Sequence, residues 1–234
     1  MNKDERTVNQ FLDSLGYSGI IFEPDGNHPP DFLIDNRIAV EVRRLNQFYL
    51  NKGKYEPLEN LEYSLDPKLL KLFRAFNSHE VPNSAFVLFH YKRPLKPTKS
   101  LMQEIEHVLS EHVNCIELEK EYVVAENLYL RFFPHEKREE DVYLFGSKYD
   151  RDRGGWVVAE ILKSLKYIVE EKTNKVRPYL SKYDEWWLVL VNHVNMDIQR
   201  IEGHQLKEGF IKAHCFDKIM IISQHDSANG YLTL

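Results

Sequence analysis

Cysteine is nearly missing from this sequence: 234 residues hold two, Cys115 and Cys215, with no CxxC spacing. A disulfide framework and a cysteine-built metal site are therefore excluded, and the pair reads as two buried, reduced thiols of a cytoplasmic protein. Long apolar runs are missing too. The longest, "WWLVLV" (186–191), falls far short of a bilayer's thickness, so no membrane partner is expected. The opening residues, "MNKDERTVNQ", are polar and lack a secretory h-region, which adds to the cytoplasmic expectation. A basic excess is absent: 31 Lys and Arg face 36 Asp and Glu, for a net charge of -5. That balance argues against a sequence-independent nucleic-acid coat and leaves room for an enzyme with a local basic groove. His193, His204, His214 and His225 show no HxH or HxxxH spacing for zinc. "GGWVVAEILK" has no GK[ST] and so is no P-loop, "YDRDRGG" lacks the alternating ligands of a calcium loop, and no nucleophile elbow occurs.

Apolar material is plentiful, at 43% hydrophobic and 12% aromatic, enough for one sizeable core. Val8, Phe11, Leu12 and Leu15 recur at helical spacing over 4–15, and Gly16 supplies a stop. Strands are predicted at Ile20–Phe22, Asp31–Ile34 and Ile38–Leu45, and residues 46–64 read as irregular. "SLDPKLLKLFRAF" offers Asp66 as N-cap and Pro67 as first helical residue. "SAFVLFHY" (84–91), "NLYLRFF" (127–133), "DVYLF" (141–145), "WWLVLV" and "DKIMIIS" (217–223) read as strands. Helices are expected from Thr98, over 154–172 and between the last two strands. Interspersed helices and strands predict an α/β fold, a single domain over 1–234 with 92–150 read as an insertion.

The stretch "PPDFLIDNRIAVEVRRLN" (29–46) carries Asp31 and Glu41 on what reads as a hairpin. If Ile34 pairs with Ile38, the loop is Asp35-Asn36-Arg37 and Asp31 falls opposite Glu41. Phe32, Ile34, Ile38, Val40 and Val42 then share an apolar face, and Asp31, Leu33, Ala39, Glu41 and Arg43 share the other, expected to face solvent. Opposed carboxylates have Cβ atoms about 5 Å apart and repel by roughly 3 kcal/mol at an effective dielectric of 20. A raised pKa, a cationic partner or a divalent metal must offset that. An ion pair of Arg43 with Glu41 or Asp31 is the plain structural answer, and Mg²⁺ or Mn²⁺ the functional one.

Pro30-Asp31 followed ten positions on by Glu41-Val42-Arg43 resembles the PD-(D/E)XK nuclease superfamily. Its motif is a Pro-Asp, a hairpin and then acid-x-Lys. The preceding helix with Glu5, the "GY" (16–17) lead-in and the lysine-bearing "IVEEKTNKVRPYLSKYDEWWLVLV" extend the likeness. The resemblance implies a restriction-endonuclease-like mixed sheet flanked by helices. It implies that Asp31 and Glu41 ligate Mg²⁺ (or Mn²⁺), helped by the Val42 carbonyl and by Glu5 as an auxiliary acid, for phosphodiester hydrolysis of DNA. The departure is Arg43 in the lysine position: arginine stays protonated and cannot act as a base, although it can stabilise phosphate charge. Lys172 and Lys175 are candidates, by resemblance, to supply the missing lysine or to touch nucleic acid. Lys92, Arg93 and Lys96 in "HYKRPLKPTK", with Lys163 and Lys166, offer further positive charge, and Tyr49, Tyr55 and Tyr63 offer stacking rings. The rival expectation is a catalytically inactive nuclease-like fold that binds nucleic acid or protein. A homodimer is expected by the same resemblance.

Overall fold

The structure, a computed structural model, describes residues 1–113, 120–153, 157–194, 201–210, 214–225 and 231–234, with 157 and 201–203 described by their backbone alone. In chain order the elements begin α1 (Lys3–Ser14), β1 (Ile20–Phe22), β2 (Phe32–Ile34), β3 (Ile38–Leu45), β4 (Phe48–Asn51), β5 (Lys54–Pro57), α2 (Glu59–Ala75) and β6 (Asn83–Tyr91). There follow α3 (Thr98–His112), β7 (Glu121–Ala125), β8 (Leu128–Glu136), β9 (Tyr143–Asp150), α4 (Val157–Val176), β10 (Glu185–Asn192), α5 (Ile201–Gly209), β11 (Lys218–Ser223) and β12 (Tyr231–Thr233). These form two compact units, one of residues 1–47 and 155–234, the other of 48–154. The fold is α/β, with mixed sheets flanked by helices.

In the first unit, α1 starts at a capping box. The Asn2 side chain accepts the Glu5 N–H at 3.0 Å, and the Glu5 carboxylate accepts the Asn2 N–H at 2.5 Å. Val8, Phe11 and Leu12 then point to one side and are buried. The sheet runs β1-β2-β3-β10-β11-β12: an antiparallel meander, then β10 parallel to β3, β11 parallel to β10, and β12 antiparallel at the far edge. The hairpin register is the expected one, with Ile34 opposite Ile38 and Phe32 opposite Val40. Asp35 and Asn36 turn the chain at φ of 50° and 54°, a region that Asn and Asp tolerate better than most residues.

One sheet face, with Phe32, Ile34, Val40, Trp187 and Val189, packs on α1. The other, expected to face solvent, is covered instead. Leu33, Ala39, Glu41, Leu188 and Leu190 are all buried there, and α4 lies against β3 with Ile161, Leu165, Ile168 and Val169 fully inaccessible. A strand with both faces covered needs apolar residues in both registers, and "WWLVLV" supplies them in β10.

The second unit has the hairpin β4–β5 and a four-stranded sheet ordered β7-β8-β6-β9. Helices α2 and α3 share a core with one face of that sheet, through Leu65, Leu69, Phe73, Leu101 and Ile105 against Val87, Phe89, Leu130 and Phe132. Several local readings change here. Residues 46–64 are ordered as the hairpin and the start of α2, so Asp66 and Pro67 lie inside that helix rather than at its cap. Asp66 pairs instead with Lys148 at 2.7 Å. Thr98 is the first residue of α3, after Pro97, and gives no capping bond. The short strands β7 and β12 were not anticipated. Cys115 and Gly154-Gly155 lie outside the described residues. Cys215 is half-buried and unbridged, and burial pushes its thiol pKa up.

Phe32 is fully buried at the junction of α1 with the meander. Phe32→Ala is expected to cost about 3–5 kcal/mol of stability, measured as a lower midpoint in urea unfolding.

Candidate functional site

Asp31 stands one residue before β2, and extending the register places it opposite Glu41. Its Oδ2 accepts the Val42 N–H at 2.7 Å, so the side chain crosses to β3. Glu41 is 0% exposed on the face covered by α4. Burying a carboxylate costs several kcal/mol unless opposite charge and hydrogen bonds reach it. Both come from α4. The Lys172 ammonium donates to Glu41 Oε2 at 2.7 Å, and Lys175, one helical turn on, donates to the same oxygen at 3.1 Å. Lys172 is buried, whereas the Lys175 side chain is 44% exposed.

Arg43 does not serve Glu41 or Asp31. Its guanidinium pairs with Glu171 of α4 at 3.1 Å, and its buried Nε meets no hydrogen-bond partner among the described residues. Three acids (Asp31, Glu41, Glu171) thus face three cations (Arg43, Lys172, Lys175). Of the three ways to relieve the opposed acids, the structure shows the cationic one. Burial alone would lower the pKa of Lys175. The charge of Glu41, their hydrogen bond and the charge of Asp31 outweigh it and raise the value. Lys175 is a persistent cation, ill-suited to act as a base.

The donor chemistry still suits a hard divalent cation. Each carboxylate commits one oxygen at under 3.2 Å, Asp31 Oδ2 and Glu41 Oε2, while Glu41 Oε1 has Lys175 no nearer than 3.5 Å. Mg²⁺ is commonly held by one or two carboxylates, with waters and substrate oxygens completing its shell. No group of three His, Cys, Asp or Glu placed to hold a metal occurs among the described residues.

Other expected site residues stand apart from this cluster. The Glu5 carboxylate is engaged in the α1 capping box, bonded to the Asn2 backbone and side chain. The buried acid of α1 is its neighbour Asp4, on the opposite sheet face. Asp4 accepts from Arg44 at 2.9 Å and pairs with His193 Nε2 at 2.9 Å. Burial would raise the Asp4 pKa, but the bonds from His193 and Arg44 prevail and lower it. In the second unit, Arg93 is no surface cation. It is buried, bonded to Asp150 at 2.8 Å, to Asp152 and to the Leu58 carbonyl. Lys92 is exposed, and Lys96 pairs with Glu104 at 2.6 Å. Tyr63 is exposed, while Tyr55 packs edge-on against Phe48.

Sequence reasoning missed Asp4, Arg44, His193 and Glu171. A signal existed for the acid and for the depth of Lys172. Asp4-Val8-Leu12 and Ile161-Leu165-Ile168-Lys172 are stripes of buried positions at helical spacing, each ending in a charge that the stripe must bury. Comparison with known proteins found no family model, no curated protein and no solved structure that matches this chain.

Lys172→Met strands part of the buried Glu41 charge and is expected to cost about 3–5 kcal/mol in urea unfolding. Lys175→Met, at a half-exposed position, should cost about 1 kcal/mol or less. The raised pKa of Lys175 adds stability that is whole below the ordinary lysine range and is lost as pH rises through the folded-state value. Lys175→Met should therefore flatten the alkaline limb of a melting-temperature profile. The lowered pKa of Asp4 acts at the other end, its stability being lost as pH falls through the folded-state value. Asp4→Asn should flatten the acid limb.

Proposed function

We propose that residues 1–47 and 155–234 form a restriction-endonuclease-like unit that hydrolyses phosphodiester bonds of nucleic acid, DNA in the first instance. Mg²⁺ or Mn²⁺ would be held by Asp31 and Glu41. The element order supports this reading: a helix, a meander carrying the two acids, a helix, and a strand parallel to the third strand of the meander. One observation carries it. Glu41 beside Asp31 is gripped by Lys172 and Lys175, so the acid pair has the lysine that position 43 lacks.

A divalent cation bound there would supply Lewis-acid neutralisation of phosphate charge. The chain's own groups do the rest. Lys175, protonated and half-exposed, offsets the charge that grows on the phosphate oxygens as water attacks phosphorus, its proton passing to solvent, and the ester oxygen leaves with a proton from solvent. Lys172 holds Glu41 in place from the buried side. The Glu171 carboxylate holds Arg43 at the margin of the site.

A second reading has its own support, in that the three acids and three cations already balance. On that reading the unit is a catalytically inactive nuclease-like fold that binds nucleic acid or protein.

Incubation with supercoiled plasmid and single-stranded DNA in Mg²⁺ or Mn²⁺ separates the two. The hydrolytic reading expects nicking or degradation that Asp31→Asn abolishes and that Lys175→Met slows about 10²–10³-fold. It also expects Mn²⁺ to raise the melting temperature of the wild type but not of Asp31→Asn. Intact DNA in both metals, with no metal-dependent thermal shift, would leave the binding reading standing.

A further inference from the structure

Within the second unit, and among the described residues, α2 and α3 share a core with a single set of alternate residues of the four-stranded sheet. The opposite set faces outward: Phe86, Leu88 and His90 on β6, Tyr129, Arg131, Phe133 and His135 on β8, Glu121 and Val123 on β7, and Leu144 and Tyr149 on β9. Contacts between these side chains fix the assignment. The rings of His90 and Tyr149 lie 5.6 Å apart and those of Phe86 and His135 5.2 Å apart, while Glu121 reaches both Arg131 and His90 at 3.1 Å. Tyr149, Val123 and Phe133 are 61%, 68% and 40% exposed on this one face, and it is their grouping that is informative.

The composition of this face narrows its occupant. It is aromatic rather than aliphatic: six rings from three adjacent strands, which follow one another at about 4.8 Å. Tyr149, His90 and Tyr129 make one row across those strands, and Phe86 and Phe133 make a second. Arg131 sits between the rows. The only carboxylate that alternation places here, among the described strand residues, is Glu121, and it is engaged with Arg131 and His90. Rings grouped on three strands, a guanidinium between them and, among the described strand residues, no carboxylate without a cationic partner fit the faces of unpaired bases. Each base offers a π-surface whatever its identity, and the one carboxylate alternation places here is offset by Arg131 and His90.

We propose that this face is a stacking platform for single-stranded DNA, the choice of occupant resting on the phosphodiesterase reading of the Asp31–Glu41 site. Because Arg131 is already paired, binding comes mainly from stacking and falls only gently with salt.

The test is fluorescence anisotropy with a labelled oligodeoxythymidine in chelator, where hydrolysis is silent. Wild type binds. Tyr149→Leu and Phe133→Leu, which keep apolar area and lose the ring, each weaken binding about tenfold, and Tyr149→Phe restores it. A duplex of the same length, its base faces hidden, binds at least tenfold more weakly. A protein that stacks DNA in chelator but never cuts it in Mg²⁺ or Mn²⁺ retains the platform and loses only the hydrolytic reading. Absence of binding at micromolar protein, leucine variants equal to wild type, or a duplex bound as tightly would overturn the platform. So would sedimentation showing a dimer that Tyr149→Asp dissolves, since the face would then belong to a second copy.

Discussion

A carboxylate with no exposed surface sets the terms for the first unit. Glu41 occupies a strand position that an apolar residue could fill more cheaply, and α4 offsets the cost of burying it by delivering two ammonium groups to one of its oxygens. That requirement reaches well beyond the pair. It fixes which face of α4 meets the sheet, since Lys172 continues the apolar stripe that docks the helix. It also sets how far along β3 the helix must lie for Lys175 to arrive one turn later. Packing and site are thus specified by the same contact, and Asp31, tied to the Val42 amide, completes the cluster from the neighbouring strand.

Strand β3 does the same work in the other direction. Arg43 and Arg44 are adjacent, so the pleat sends them to opposite faces. Arg43 reaches Glu171 on α4 and Arg44 reaches Asp4 on α1. Each flanking helix is therefore held to one strand by an apolar stripe and by an acid–arginine bond. His193, just past the end of β10, adds a second partner to Asp4. The two faces differ in what surrounds the charge. On the α1 side one acid meets Arg44 and His193, whereas on the α4 side three acids and three cations crowd together, which is the more suggestive arrangement for chemistry.

Much of the first unit could be read in the letters. The hairpin register followed from one consideration, that a slip by one residue would scatter an apolar face, and the pairing of Ile34 with Ile38 is as that argument requires. The burial of Glu41 could not be read the same way. A strand pattern shows which residues share a face but not whether a helix from far along the chain will cover it. The second unit was less legible. Tyr49 to Pro57 lacks a strong apolar alternation, and its hairpin turns on Lys52 and Gly53 with positive φ. Pro67 looks like a helix start, yet α2 begins eight residues earlier. Surface cations were the least legible: Arg93 sits in a basic loop but is claimed by Asp150 and Asp152, because a formal charge says nothing of which carboxylates the fold brings near.

Glu41 and Lys172 are 131 positions apart in the chain, with the whole second unit inside that interval. Closing so large a loop is thermodynamically mild, because the entropic penalty grows only with the logarithm of length, about 0.6 kcal/mol per doubling. Kinetically it is demanding: the ion cluster can assemble only after α4 has been made and has returned to β3. During synthesis the N-terminal meander therefore waits with an uncompensated acid on an uncovered face, and that interval is when this protein most needs protection from premature association.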